Sequence, residues 1–211
     1  PDFARAAEAV LAERPNSGRR AILVANYLRH GLDLESRAIE VLHIANRNGV
    51  LDEAGQTQLA NWLEAANRYA EMIPILEPFV KTRPDNINYR VQLMVAYQRT
   101  MRPQQMEELR LQTDKDFHAG GRWTEGNISA LAYGCFRSNQ FDHAVKYYDE
   151  AIALHQRTYD GSPMNDGTLS SYYSTLASAH SALGHTREAV EAATAAIVCW
   201  GPRHEQRTQQ L

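Results

Sequence analysis

A triplet of positions spaced four and then three residues apart recurs five times along this chain of 211 residues. Its members are Ala38/Leu42/Ala45, Met72/Leu76/Phe79, Met106/Arg110/Thr113, Ala144/Tyr148/Ala151 and Ala189/Ala193/Ala196, and the first members step by 34, 34, 38 and 45 residues. Residues four and three apart share one face of a helix, so each triplet marks the stripe by which one helix meets a partner. Upstream of every triplet stands a second stripe, spaced one and then three: Leu23/Val24/Tyr27, Leu59/Ala60/Leu63, Leu93/Met94/Tyr97, Leu131/Ala132/Cys135 and Leu176/Ala177/His180. Two stripes per period predict two helices per period, and a period of this length predicts hairpins laid side by side.

Composition agrees with that pattern. Ala, Leu, Glu, Arg and Gln dominate, and no alternating run of Val, Ile and Thr reads as a half-buried strand, so an all-α chain is expected. The helices are expected over 2–14, 18–30, 34–48, 52–67, 69–82, 86–100, 103–114, 122–138, 141–156, 167–183 and 186–199. The first reads as the second helix of an earlier repeat, and a chain that begins at Pro1 rather than Met reads as a fragment of a longer polypeptide. Pro74 and Pro78 fall inside a helix and predict a kink. Pro103 suits a first helical turn.

These stripes resemble the tetratricopeptide repeat (TPR) family, whose unit is 34 residues folded as two antiparallel helices. The best local matches run from Leu131-Ala132 through Ala151-Ile152, and from Leu176-Ala177 through Ala196-Ile197 with Gly184 at the turn between helices. Pro84-Asp85-Asn86 stands where the family ends its second helix. Departures are Arg20, Arg90 and Ile128 in place of the family's aromatic, and Arg110 and Thr113 in place of apolar residues, which make the third unit the weakest. The resemblance implies a right-handed α-solenoid of stacked antiparallel helix pairs. Residues 1–202 would form a single repeat domain of about five pairs plus a leading half-repeat, with long loops at 114–122 and 157–168 and a polar tail at 203–211.

Chemistry is sparse. There is no G-x-S-x-G, no H-E-x-x-H, no phosphate loop and no C-x-x-C, and Gly120-Gly121 lacks a dinucleotide fingerprint, so the chain is read as not an enzyme, without cofactor or metal. Two cysteines, Cys135 and Cys199, exclude a disulfide framework. His180 is expected in the core, and His143, His155, His185 and His204 at the surface or at helix ends. A formal net charge of -3 leaves no basic field for nucleic acid. No window is long and apolar enough to span a bilayer, so a soluble chain is expected, with a cytoplasmic setting favoured.

The resemblance also implies where a ligand would lie, on a concave face lined by the first helix of each pair. The family's groove positions fall on Ala21, Ala25, Leu28 and Arg29, then Thr57, Gln58, Asn61 and Glu64, then Gln92, Val95, Gln98 and Arg99. Next come Ser129, Tyr133, Phe136 and Arg137, and last Ser171, Ser174, Ser178 and Ser181. Arg29, Arg99 and Arg137 would line one edge and favour an acidic segment, unless each pairs with a neighbouring carboxylate. Tyr133 and Phe136 are the expected contact residues, unless the loop 157–168 covers them. The serine series offers small hydroxyl-bearing side chains to a ligand or to that same loop. Of the lysines and asparagines with which the family clamps chaperone tails, only Asn61 is present, which disfavours that role. The expected function is a protein- or peptide-binding scaffold module. The alternatives are a structural or self-association module, and a regulatory segment of a multidomain enzyme.

Overall fold

The computed structural model describes residue 9, residues 16–159, residue 161 and residues 166–200. The expected helix 2–14 apart from residue 9, positions 160 and 162–165 of the second expected loop, and the tail 203–211 with His204 lie outside the described residues. Ten α-helices follow one another among the described residues. They are α1 Gly18–Asn26, α2 Glu35–Arg47, α3 Glu53–Ala65, α4 Tyr69–Thr82, α5 Ile87–Arg99, α6 Pro103–Ala119, α7 Glu125–Arg137, α8 Phe141–Thr158, α9 Gly167–Ala182 and α10 Thr186–Trp200.

Every first helix of a pair starts on a side-chain cap. Ser17, Asp52, Asn86, Thr124 and Asp166 each accept a hydrogen bond from a backbone N–H two or three residues onward, satisfying donors that the first helical turn leaves over. Each second helix follows a turn holding one left-handed residue: Asp33, Asn67, Met101, Asn139 or Gly184. Immediately after four of these, the next N–H reaches back five residues: Arg68 to Leu63, Arg102 to Tyr97, Gln140 to Cys135 and His185 to His180, at 2.8 to 2.9 Å. The acceptor is in each case the last residue of the first-helix stripe. This hydrogen bond closes a helix at a left-handed residue and sends the chain back antiparallel.

The first pair corrects the expected register by one residue. Leu23 and Tyr27 are 61% and 46% exposed, whereas Val24, Ala25 and Leu28 are buried. The stripe is thus Val24/Ala25/Leu28, with the same one-and-three spacing. Its closing hydrogen bond runs from Leu34 back six residues to Leu28, at 2.8 Å. The additional residue sits in a π-helical turn, Tyr27–Gly31, that continues α1. Such wide turns are how a helix takes up a single insertion.

The chain forms two compact units that divide between Leu76 and Glu77, inside α4. In the first unit, Ala38, Leu42 and Ala45 of α2 and Leu59, Ala60 and Leu63 of α3 are buried, as their stripes predict. Trp62 is also buried, with the Arg29 guanidinium 4.6 Å from its ring centre. Helix α4 runs unbroken through Pro74 and Pro78. Both prolines are exposed, one turn apart on the same side, where a missing N–H costs least.

The second unit packs its first helices directly on one another. A Cβ on Gly134 of α7 would come within 2.9 Å of Val91 Cγ1 on α5, so glycine sets that close approach. The weak third unit is held by polar contacts in place of apolar ones. Arg90, 2% exposed, donates to Pro84 O at 2.9 Å, to Thr113 Oγ1 at 3.3 Å and to Asp116 at 2.7 Å. Arg110, 4% exposed, donates to both Glu107 oxygens at 2.6 and 2.8 Å and to the Tyr147 hydroxyl at 2.7 Å.

The expected loop 114–122 is overturned. Helix α6 continues to Ala119, and the step of 38 residues is largely one more helical turn, which buries Phe117 and brings Asp114 and Asp116 to Tyr147 and Arg90. Of the expected loop 157–168, residues 157–158 and 167–168 are helical.

Candidate functional site

The first unit holds eight of the expected groove positions, among them Arg29, Asn61 and Glu64. Arg29 does not share the position of Arg99 and Arg137, because the shift in register moves that place to His30. Its guanidinium pairs with Glu35 at 2.7 Å and lies over Trp62. Its neighbours in the expected groove, Ala21, Ala25 and Leu28, are buried core. Asn61 is exposed and Glu64 half-buried on α3.

In the second unit, α5 and α7 carry the other first-helix residues. Val95 is fully buried, while Gln98 is half-buried and Arg99 exposed at the end of α5. On α7, Tyr133 is 49% exposed and the Arg137 guanidinium stands 5.8 Å from its ring centre. Phe136, half-buried, meets Phe141 edge-on at 5.8 Å between centres. Ser129 is half-buried; its hydroxyl donates to Gly126 O at 3.1 Å, and it also bonds Tyr172 of α9. The α7 face is therefore an aromatic ring with a guanidinium above it, next to a second ring seated on α8.

Ser174 and Ser178 are exposed on α9, but their hydroxyls donate back along their own helix, to Ser170 O at 2.8 Å and Ser174 O at 3.0 Å. They line two shallow depressions between α9 and α10, of about 530 Å³ with Ser181, Ala189 and Val190, and about 440 Å³ with Ser171, Ile197 and Trp200. The last triplet shows the same opening: Ala193 is exposed, whereas Ala144, Tyr148 and Ala151 at the matching places of α8 are buried.

Two features escaped the sequence reading. A cleft of about 470 Å³ lies among α4, α5 and α6, floored by Leu93, Tyr97 and Leu109 and rimmed by Glu77, Lys81 and Glu108. Burial pushes the Tyr97 hydroxyl up to about 12, helped by its hydrogen bond to Glu77 at 2.9 Å. His155, expected at the surface, is 7% exposed and bonded to two carboxylates. Conversely His180, expected in the core, is half-buried beside His185. Neither could be read from one helix, since the partners lie on others.

Burial raises the Cys135 thiol to about 12, which leaves it inert. Among the described residues, no group of three or more His, Cys, Asp or Glu is placed to hold a metal ion. No described helix is long and apolar enough to cross a membrane.

Solved structures share this arrangement. The nearly identical TPR-like repeats of a Podosopora anserina protein assigned as a kinesin light chain superpose with a TM-score of 0.62 at 22% identity, over 94% of this chain and 100% of that one. The fold is that of TPR-like repeat proteins. YrrB, described as a TPR protein with an unusual peptide-binding site, gives a TM-score of 0.51 at 12% identity, over 99% of this chain and 100% of that one. MamA from Desulfovibrio magneticus RS-1, residues 41 to the end, gives 0.54 at 13%, over 85% and 93%. No family model matches the sequence, and no curated protein matches it either.

Proposed function

We propose that this TPR-like chain is a binding module rather than an enzyme, and that its second unit holds a protein or peptide against the face formed by Gln98 and Arg99 of α5 and Tyr133, Phe136 and Arg137 of α7. The supporting observation is Tyr133. A large ring left 49% exposed beneath a guanidinium offers an apolar plate with a positive edge, the pairing that dominates many interface hot spots. An acidic segment with an aliphatic or aromatic anchor matches it. The likeness to YrrB, whose description names a peptide-binding site, supports the same reading. Asn61 and Glu64 on the first unit form a separate, polar candidate surface.

The test uses Tyr133→Ala and Arg137→Ala, sparing Phe136 because it packs on Phe141. Partners captured by the wild-type chain are identified by mass spectrometry and titrated calorimetrically. The double variant is expected to bind about tenfold or more weakly, with an unchanged melting temperature. Equal affinity refutes the α7 face.

A specific observation also favours self-association. Val190, Ile197, Val198 and Trp200 of α10 are 62%, 75%, 55% and 50% exposed beside the serine-lined depressions. If this side pairs with a second copy, sedimentation shows a concentration-dependent dimer that Ile197→Glu abolishes. A monomer at every concentration rejects this reading and leaves the α7 face untouched.

A further inference from the structure

His155 stands near the end of α8 with one ring nitrogen on each of two carboxylates from different helices. Its Nδ1 is 2.9 Å from Glu125 Oε1 in the first turn of α7, and its Nε2 is 2.7 Å from Asp166 Oδ2, the cap of α9. The ring is enclosed by Tyr159, stacked at 5.0 Å between centres, and by Tyr172 of α9, edge-on at 6.3 Å. Asp166 is 4% exposed, and its other oxygen accepts from the N–H groups of Thr168 and Leu169 at 3.0 Å. Glu125 Oε1 also accepts from the Tyr172 hydroxyl at 2.9 Å.

An ionised carboxylate only accepts hydrogen bonds, so two of them on one imidazole require both ring nitrogens to be protonated. Loss of either proton turns a lone pair onto a carboxylate oxygen. The two contacts are not equivalent. Asp166 is buried and held by backbone donors, whereas the Glu125 side chain is 26% exposed, keeps Tyr172 as a partner and can be reached by water.

We propose that His155 is a pH-operated clasp: as the imidazolium it ties the first turn of α7 to the capped start of α9, and on losing its Nδ1 proton it keeps Asp166 and releases Glu125.

The direction of the titration agrees. Burial disfavours the imidazolium, but the hydrogen bonds and charges of Asp166 and Glu125 outweigh it, and the net displacement is upward from the ordinary 6.5. The clasp is therefore closed below the ordinary histidine value and opens as pH rises through the higher folded one. Asp166 is held below the usual carboxylate range against the opposing effect of burial, by the Leu169 amide and His155, so the Asp166 arm stays ionised across the range in which the imidazolium forms. The titratable groups facing this centre are Glu125 from α7, Tyr159 after α8, and Asp166 and Tyr172 from the start of α9. Cys199 of α10 is near enough for Asp166 to raise it further.

The experiment follows the His155 ring nitrogens and the amides of Gly126 and Asn127 by 15N NMR in the whole chain between pH 5.5 and 9. The expected result is an imidazolium at pH 6, a midpoint above 6.5, the Nε2–H tautomer at high pH, and α7 amide shifts with the same midpoint. In Glu125→Gln the amide can donate to the bare Nδ1, so the midpoint falls and the α7 amides no longer follow it. A neutral ring at pH 6, an Nδ1–H tautomer, or α7 amides indifferent to the titration each overturn the clasp. The wild-type spectra decide this even if the variant does not fold.

Discussion

The Arg110 guanidinium of α6 donates to the Tyr147 hydroxyl of α8 at 2.7 Å, and that hydroxyl donates in turn to Asp114 at 2.7 Å. Both residues are buried. A position where the repeat pattern asks for an apolar side chain is thus filled by an arginine whose polar atoms are satisfied by two residues, Glu107 and Tyr147. Arg110→Ala removes the buried stem, deprives the Tyr147 hydroxyl of its donor and leaves the Glu107 carboxylate without its counter-charge, and a loss of about 3 kcal/mol is expected in urea denaturation. Arg110→Met keeps much of the volume and should lose less than Arg110→Ala.

The ion pair of Arg110 with Glu107 makes stability depend on pH. The hydrogen bonds from Arg110 hold the Glu107 carboxyl below its ordinary 4.5, with burial opposing. A lowered carboxyl stabilises the fold above the ordinary value, and that stabilisation fades as pH falls through the folded one. The difference in urea midpoint between wild type and Glu107→Gln should accordingly be constant near neutrality and shrink below about pH 4. A gap that stays constant down to pH 3 contradicts the pairing.

Gly134 offers a steric test. Gly134→Ala gains helix propensity of about 1 kcal/mol, yet its methyl would stand 2.9 Å from Val91 Cγ1. The clash is expected to win, destabilising by about 1–2 kcal/mol net. Val91→Ala should cost less in the Gly134→Ala background than in the wild type. Additive effects in the double-mutant cycle would show that the helices do not approach this closely.

Met101 points the other way. It has φ 59° and is 86% exposed, so it bears the left-handed strain with little packing in return. Met101→Gly should stabilise the protein by about 1 kcal/mol, while Gly184→Ala, at φ 78°, should destabilise it by a similar amount. Thermal melts of the two variants should shift in opposite directions.

The stripes that repeat from pair to pair were legible because burial follows helical spacing. Leu59/Ala60/Leu63 and Leu131/Ala132/Cys135 are core, as their spacing predicts. The Leu23/Val24/Tyr27 spacing falls one residue short of the buried stripe Val24/Ala25/Leu28, since nothing in its composition announces a π-helical turn. The buried arginines were illegible for a different reason. Arg90 finds Asp116 at a separation of 26 residues, so a charge that looks solvated on its own helix is neutralised from another, and Arg110, paired with Glu107 on its own helix, is buried by Tyr147 at a separation of 37. At the candidate site, the exposure of Tyr133 follows from the period. The course of the serine face toward α10 depends on which helix pair leaves its outer side open, and no local pattern records that.

The wide turn at Tyr27–Gly31 gives the first hairpin a spare residue that its neighbours lack. Because the surplus is swallowed within a single loop of helix, the downstream hairpins keep their phase. Removing one residue from this turn should therefore shorten the continuous helix Gly18–Gly31 to the 13 residues of α3, α5 and α7 and leave the caps at Asp52 and beyond in place. An insertion of that size inside α5 would have no such reservoir and would rotate Val91 away from Gly134.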